Sequence, residues 1–319
     1  MTSDQPAVRT VGLHKTYSSP HGDVPAVAGV DLELARGEFF GLLGPNGAGK
    51  STMIGMLTTL VIPTSGQACV CGLDVVRQPV EVKRRIGMVS QNNTLDNDLS
   101  VAENLEFRGR YFGMSGRDAR RRADGLLDLF NLSDRRKASP YQLSGGQAKR
   151  LMICRALVHR PEVLFLDEPT AGLDPQTRVN LWDLLRGLQA DGQTILLTTH
   201  YMEEAEALCE RVAVIDHGRL LACGTVADLE ESAGAETVIT VTYEGAPPAD
   251  VAALRGRDGV SRVEVSDGQV RVFAREADGL LGELVSVGAE AGIAVTDAAQ
   301  LRPSLETVFL TLTGREYRE

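Results

Sequence analysis

The stretch Gly44-Pro45-Asn46-Gly47-Ala48-Gly49-Lys50-Ser51-Thr52 constrains this 319-residue chain more than any other. It spells G-x-x-x-x-G-K-S. Consecutive backbone N–H groups can converge on phosphate oxygens only where no Cβ obstructs the wrap. A helix start just beyond adds the positive end of its dipole. Lys50 supplies a mobile point charge for β- and γ-phosphates, and the Ser51 hydroxyl is placed to ligate Mg²⁺. The flanks suit such a loop. Glu38 to Leu43 reads as a buried strand, and Ser51 to Leu60 carries Ile54, Leu57 and Leu60 at helical spacing. Strand, glycine-rich loop and helix form the required setting. The basic residues are 28 Arg and five Lys. The loop nevertheless holds Lys, where a bulkier Arg fork would not substitute.

The length allows one large or two modest domains. A hydrophobic content of 43% supports a packed core and argues against disorder. The net charge of −10 argues against nucleic acid as a partner, because phosphate backbones want a basic face. Met1 to Thr10 is polar, so no ordinary signal peptide is expected there. No run of 18 apolar residues occurs, so no spanning helix is expected. Five scattered cysteines, with Cys69 and Cys71 the one close pair, complete no zinc set and read as reduced thiols.

Taken in order, Val8 to Tyr17 and Val30 to Leu34 read as strands around a turn-rich stretch, Ser18 to Pro25. Tyr17 is suited to stack on a purine ring, with edge packing as the alternative. Ile86 to Val89 reads as a strand with Gln91 at its end. Ser100 to Asn131 is helical, and its basic run, Arg117, Arg120, Arg121 and Arg122, reads as a solvated face. Leu143-Ser144-Gly145-Gly146-Gln147 opens another helix with bare N–H groups, a second potential anion site. Val163 to Leu166 is apolar throughout, as in a central parallel strand. Asp167 and Glu168 follow at its carboxyl end, where open α/β sheets bind ligands. One carboxylate there suits Mg²⁺ and the other proton handling. Asp174-Pro175 is an N-cap with proline at N1. His200 ends the strand Gln193 to Thr199. From Glu236 onward the elements read β-α-β-β-α-β. The segments are Glu236 to Tyr243, Pro248 to Arg255, Val260 to Val265, Gln269 to Phe273, Ala277 to Ala291 and Ile293 to Thr296. A turn at Asp267-Gly268 joins the third and fourth, and a final helix covers about Ser304 to Leu312.

Together these motifs resemble the ATP-binding subunits of ABC transporters, over roughly Val8 to Glu230. The resemblance implies an α/β P-loop NTPase domain over 1–230 with a helical subdomain at about 92–140. A small α+β, ferredoxin-like domain over 235–319 would follow. ATP and Mg²⁺ are implied. Tyr17 falls at the adenine-stacking position, Gly44 to Thr52 at Walker A, Gln91 at the Q-loop and Leu143 to Gln147 at the signature. Val163 to Glu168 matches Walker B, Ala171 to Asp174 the D-loop and His200 the switch histidine. Glu168 would then polarise the attacking water, while Lys50, Gln91 and His200 serve the γ-phosphate. Ser51, Asp167 and Gln91 would surround Mg²⁺. Ser144, Gly145, Gly146, Gln147 and Asp174 would complete the site of a second ATP-binding subunit, in a homodimer. A separate integral-membrane permease is implied, with this subunit peripheral on the cytoplasmic side of the cell membrane. Leu99, Val101 and Leu105 are candidates for its docking groove. The tail, Leu301 to Leu310 with Leu312-Thr313-Gly314, resembles daunorubicin-resistance-type subunits of drug exporters. Thr307 stands where other members often carry Asp. Polysaccharide or lipid export, a soluble non-transport ATPase and an ATP sensor without turnover are the rival readings. A single cassette without heptads weighs against the soluble ATPase, and intact Glu168 and His200 weigh against the sensor.

Overall fold

The computed structural model describes residues 5–20, 22–232, 236–266, 268–275, 277–301 and 304–313. The chain divides into two compact units between Val226 and Ala227. In the first, β1 (Val8–Ser19) and β2 (Gly22–Leu34) form one long antiparallel hairpin, from Val8 opposite Leu34 to Ser19 opposite Gly22. The stretch expected as a turn-rich connection, Ser18 to Pro25, is therefore mostly strand. Pro25 is tolerated because β2 is the edge of its sheet, where a missing N–H leaves no partner unpaired. β3 (Phe39–Leu43) is buried at all five positions and delivers the chain to α1 (Lys50–Leu57). β4 (Ser65–Val70) and β5 (Leu73–Asp74) complete the hairpin's sheet, in the order β2-β1-β4-β5.

The second sheet holds the candidate site. After α2 (Pro79–Arg85) come β6 (Ile86–Val89) and the helices α3 (Val101–Tyr111), α4 (Gly116–Leu129) and α5 (Gly145–Leu157). β7 (Val163–Asp167), α6 (Pro175–Ala190), β8 (Thr194–Thr199) and α7 (Met202–Leu208) follow. β9 (Arg211–Asp216), β10 (Arg219–Gly224) and α8 (Val226–Ser232) close the run. The strand order is β10-β9-β3-β8-β7-β6, parallel except for β10 on β9. Its centre is apolar on both faces, with Phe39, Phe40 and Phe165 fully covered. The loops after β3, β6, β7 and β8 all leave from the carboxyl end.

Two expectations for the helical layer fail. Val101 and Leu105 are wholly buried, because the apolar stripe of α3 faces the neighbouring helices. Leu99 is half-buried. These residues cannot form a docking groove. Arg122 of the basic run is not solvated either: it reaches inward and donates to the Leu157 carbonyl at 3.1 Å. Arg120 and Arg121 do stay at the surface, paired with Glu106 and Asp118.

The second unit runs β11 (Thr237–Tyr243), a 3₁₀ segment (Ala249–Gly256), β12 (Val260–Ser266), β13 (Gln269–Ala274), α9 (Leu280–Glu290), β14 (Val295–Leu301) and α10 (Leu305–Thr313). The sheet order is β12-β13-β11-β14, antiparallel throughout. Ile239, Val241 and Tyr243 alternate into its core, and the Tyr243 hydroxyl donates to the Leu284 carbonyl at 2.7 Å. The segment read as a helix from Pro248 is a tighter 3₁₀ turn, and the last strand lies later than Ile293 to Thr296. Met1 to Asp4, Asp267, Arg302, Pro303 and Gly314, which figure in the sequence reading, lie outside the described residues.

Candidate active site

The glycine-rich loop is shaped by its neighbours. A Cβ on Gly44 would sit 2.2 Å from the Ile215 carbonyl oxygen, and one on Gly49 2.3 Å from that of Ala26. Gly49 also has a left-handed backbone, φ 105°. Both motif glycines are thus fixed by backbone that brushes past them, before any ligand is considered. The loop is braced by Gly218, whose N–H donates to the Ala48 carbonyl and whose own carbonyl accepts from Ala28. Asn46 and Gly47 are exposed at the tip, Pro45 and Thr52 are half-buried, and Ala48 is buried.

Lys50 lies inside the curve, 4% exposed. Its ammonium donates to the carbonyls of Gly44 at 2.6 Å and Pro45 at 3.2 Å. Burial pulls its pKa down, opposed by the charges of Glu168 and Asp167. Asp167 ends β7 and accepts from Thr198 Oγ1 at 2.6 Å and from Ser51 Oγ at 3.3 Å. Glu168 follows with φ 46°, a left-handed backbone that a residue with a side chain rarely adopts. That turn aims its carboxylate at three groups from three separate segments: Gln91 Nε2 at 3.1 Å, His200 Nδ1 at 3.2 Å and Lys50 Nζ, at the start of α1, at 3.5 Å. The His200 ring also lies 4.1 Å from that of Tyr201, over which Arg178 stacks.

Mg²⁺ fits the donors present. Ser51 and Asp167 offer hard oxygens side by side, and Mg²⁺ ordinarily takes one or two protein oxygens plus substrate phosphates. Among the described residues no cluster of three His, Cys, Asp or Glu could hold an ion without such help. Gln91 turns its amide nitrogen to Glu168.

Tyr17 is 42% exposed on β1, opposite Val24 of β2, with the Lys15 ammonium 5.0 Å from its ring. The same β2 carries Ala26 past Gly49, so Tyr17 and the loop share a flank. The signature residues bond within their own helix start. Ser144 Oγ accepts from Gln147 N–H, and Gln147 Oε1 accepts from Ser144 N–H. Ser144 and Gly145 are exposed, while Gly146 is pressed on Thr177, whose methyl would lie 2.3 Å from an added Cβ. Asp174 caps α6 by accepting from Thr177 N–H at 2.9 Å, and hydrogen bonds from the Thr177 side chain and then its backbone hold the carboxyl below the usual range.

Sequence reasoning missed three residues here. Thr198 orients Asp167, but it is one of three threonines in a β-strand, where threonine is common for its branched shape alone, so nothing marks it. Glu204 is fully buried, accepts from the Trp182 indole at 3.0 Å, and burial raises its pKa. Lys149, buried on α5, donates to the Gln91 carbonyl at 3.1 Å. Its signal was available: a Lys in a chain that otherwise prefers Arg.

Comparison with known proteins identifies the family. The ABC transporter family model matches residues 27–171. Daunorubicin resistance ATP-binding protein DrrA3 of Streptomyces coeruleorubidus is 42% identical over 312 residues, spanning 98% of this chain and 97% of the relative. This chain belongs to the ATP-binding proteins of ABC transporters. Nod factor export ATP-binding protein I of Cupriavidus pinatubonensis is 41% identical, over 98% of this chain and 94% of the relative. Among solved structures, the dimeric ATP-binding cassette MJ0796 in a post-hydrolysis state with ADP and Pi has a TM-score of 0.64 and 31% identity. It covers 68% of this chain and 98% of the other. As an ABC transporter ATP-binding protein, the chain is an ATPase.

Proposed function

We propose that this ATPase drives export of a drug-like or other hydrophobic compound through a separate integral-membrane permease, from a peripheral position on the cytoplasmic side. The observation that carries the chemistry is the convergence of Gln91, His200 and Lys50 on one buried carboxylate, Glu168. In hydrolysis a water oxygen attacks the γ-phosphorus in line, the bond to the β–γ bridging oxygen breaks, and ADP leaves with that electron pair. Glu168 accepts the water's proton. Gln91 and His200 hold the carboxylate and the water in register, and Lys50 with the loop N–H groups bears the phosphate charge. Ser51 and Asp167, with Gln91 nearby, would hold Mg²⁺, which when bound neutralises charge on the phosphates. Tyr17 would stack on adenine.

The remaining assignments follow from this reading. Ser144, Gly145, Gly146, Gln147 and Asp174 serve the nucleotide of a second copy, in an isologous pair. The dimeric MJ0796 cassette supports that arrangement. We assign residues 1–230 to the cassette, with its helical subdomain at 92–140, and 235–319 to a ferredoxin-like accessory domain, whose strand order suits that name. No helix among the described residues is long and apolar enough to cross a membrane, so the solute path needs another chain. Its docking place is a groove of about 1010 Å³ lined by Leu60, Val80, Met88, Tyr111, Phe112 and His159. Leu60, Val80 and Tyr111 are exposed apolar surface there. Ser90 and Thr94, flanking Gln91, form part of its wall, so nucleotide state and docking share one loop.

A phosphate-release assay tests the core of the proposal. Glu168→Gln should keep ATP binding and lose turnover by about 10²–10⁴-fold, because an amide cannot take the proton. Near-normal turnover in that variant would remove Glu168 from the role. A second reading, export of a polysaccharide or lipid-linked cargo, is favoured by the Nod factor relative's nearly equal identity. Drug resistance of a host expressing this chain with its permease separates the two.

A further inference from the structure

Of the five lysines, Lys50 and Lys149 are buried, at 4% and 7% exposure. Lys50 belongs to the phosphate loop. Lys149 lies in α5, downstream of the signature, and its ammonium donates to the Gln91 carbonyl at 3.1 Å. Burial lowers its pKa, and the carboxylates of Asp167, Glu168 and Glu204 oppose that shift. The same Gln91 places its side-chain nitrogen 3.1 Å from Glu168 Oε2. Further along α5, Arg155 donates to both the carbonyl and the hydroxyl of Thr94. One helix therefore grips the 91–94 loop at both ends. A compact ammonium on an unbranched stem suits the single carbonyl at Gln91, whereas the forked guanidinium suits the paired oxygens of Thr94.

We infer that Lys149 is a positioning residue for hydrolysis: through the Gln91 carbonyl it fixes the Gln91 amide against Glu168, so that the placement of the signature helix sets the geometry at the catalytic carboxylate. The inference rests on the reading of Gln91 and Glu168 as hydrolytic residues. α5 begins at the signature, which the proposed function assigns to the second copy's nucleotide. A shift of α5 on dimer formation would then be carried by Lys149 into this chain's own site. Without the ammonium the Gln91 carbonyl loses its buried donor, and the loop is held at Thr94 alone.

The test is a double-mutant cycle on the full chain, with steady-state ATP hydrolysis as readout. Lys149→Met, which keeps the stem and removes the charge, should lower kcat about tenfold, a modest cost of misplacing one group. KM for ATP should stay within about twofold, since phosphate binding is untouched. In a Gln91→Ala background the same substitution should cost nothing more, because its effect passes through the Gln91 side chain. Wild-type kcat in Lys149→Met, or an equal loss in both backgrounds, would overturn the inference. Gln91→Ala at wild-type turnover would instead sink the reading of Gln91 on which it rests, so the two failures are distinguishable. If circular dichroism shows Lys149→Met unfolded, Lys149→Gln, whose shorter amide stops short of the carbonyl, enters the same cycle under the same criteria.

Discussion

The two glycine-rich motifs of this chain each open a helix, and they are built on different terms. α1 starts at Gly49, left-handed and with no side-chain cap. The glycines around it are demanded by the fold itself, since the Ile215 and Ala26 carbonyls leave no room for a Cβ at Gly44 or Gly49. α5 starts at Ser144 with extended backbone and a reciprocal cap through Gln147. A Cβ on Gly145 would meet nothing nearer than Leu173 at 3.9 Å. Gly146 beside it is held to glycine by Thr177, but at Gly145 the fold makes no such demand. A glycine surrounded by room points to a demand from outside the chain, and in the proposed dimer that is the second copy's γ-phosphate.

The comparison can be broken first at its strongest point. Gly49→Ala forces a side chain into a left-handed backbone, at about 1–3 kcal/mol, and also onto a carbonyl. ATP binding, followed by titration calorimetry, should fall below detection, and Tm should drop. Gly145→Ala should leave both unchanged in the monomer. Equal damage from the two would erase the distinction. Next in size is assembly. In a Glu168→Gln background with Mg-ATP, the chain should elute as a dimer on a sizing column, and adding Gly145→Asp should return it to monomer with ATP binding intact. A dimer that survives Gly145→Asp would move the signature away from the interface.

Smaller effects sharpen the contrast. Ser144→Ala removes the cap of α5 and should cost about 1 kcal/mol in urea denaturation, a dependence that uncapped α1 cannot show. The far end of α5 should add a weak pH effect. His159, just past it, accepts from no one at Nδ1 among the described groups, lies 2.8 Å from the Ile86 carbonyl through Nε2, and stacks on Phe112. Burial pushes its pKa below the ordinary 6.5. The unfolded chain therefore binds this proton more readily, and stability should fall as pH drops below 6.5, levelling off under the native value. Above 6.5 the residue contributes no slope. His159→Gln should flatten that part of a Tm-versus-pH curve.

The legible parts of the molecule were those where chemistry dictates spelling. The loop from Gly44 to Thr52, the apolar β7 and the caps at Ser144 and Asp174 each have few substitutes, so residue types revealed the local structure. What sequence missed depended on partners remote in the chain. Pro25 looked like a turn until β2 proved to be an edge. Periodicity found α3 but could not say which neighbour its stripe faced, and so Leu105 was placed at the surface when it is core. Lys149 and Thr198 act on atoms 58 and 31 positions away; the rarity of Lys marks Lys149 without naming its target, and nothing local marks Thr198.

The φ of 46° at Glu168 has a consequence for anyone engineering this chain. A left-handed backbone suits glycine or asparagine, so replacing Glu168 with either should relieve about 1–3 kcal/mol of local strain. A library enriched only for heat resistance, without ATP, would drift towards such replacements. The hardiest survivors would then be the ones that no longer turn over, and a screen for robust pumps must count released phosphate from its first round.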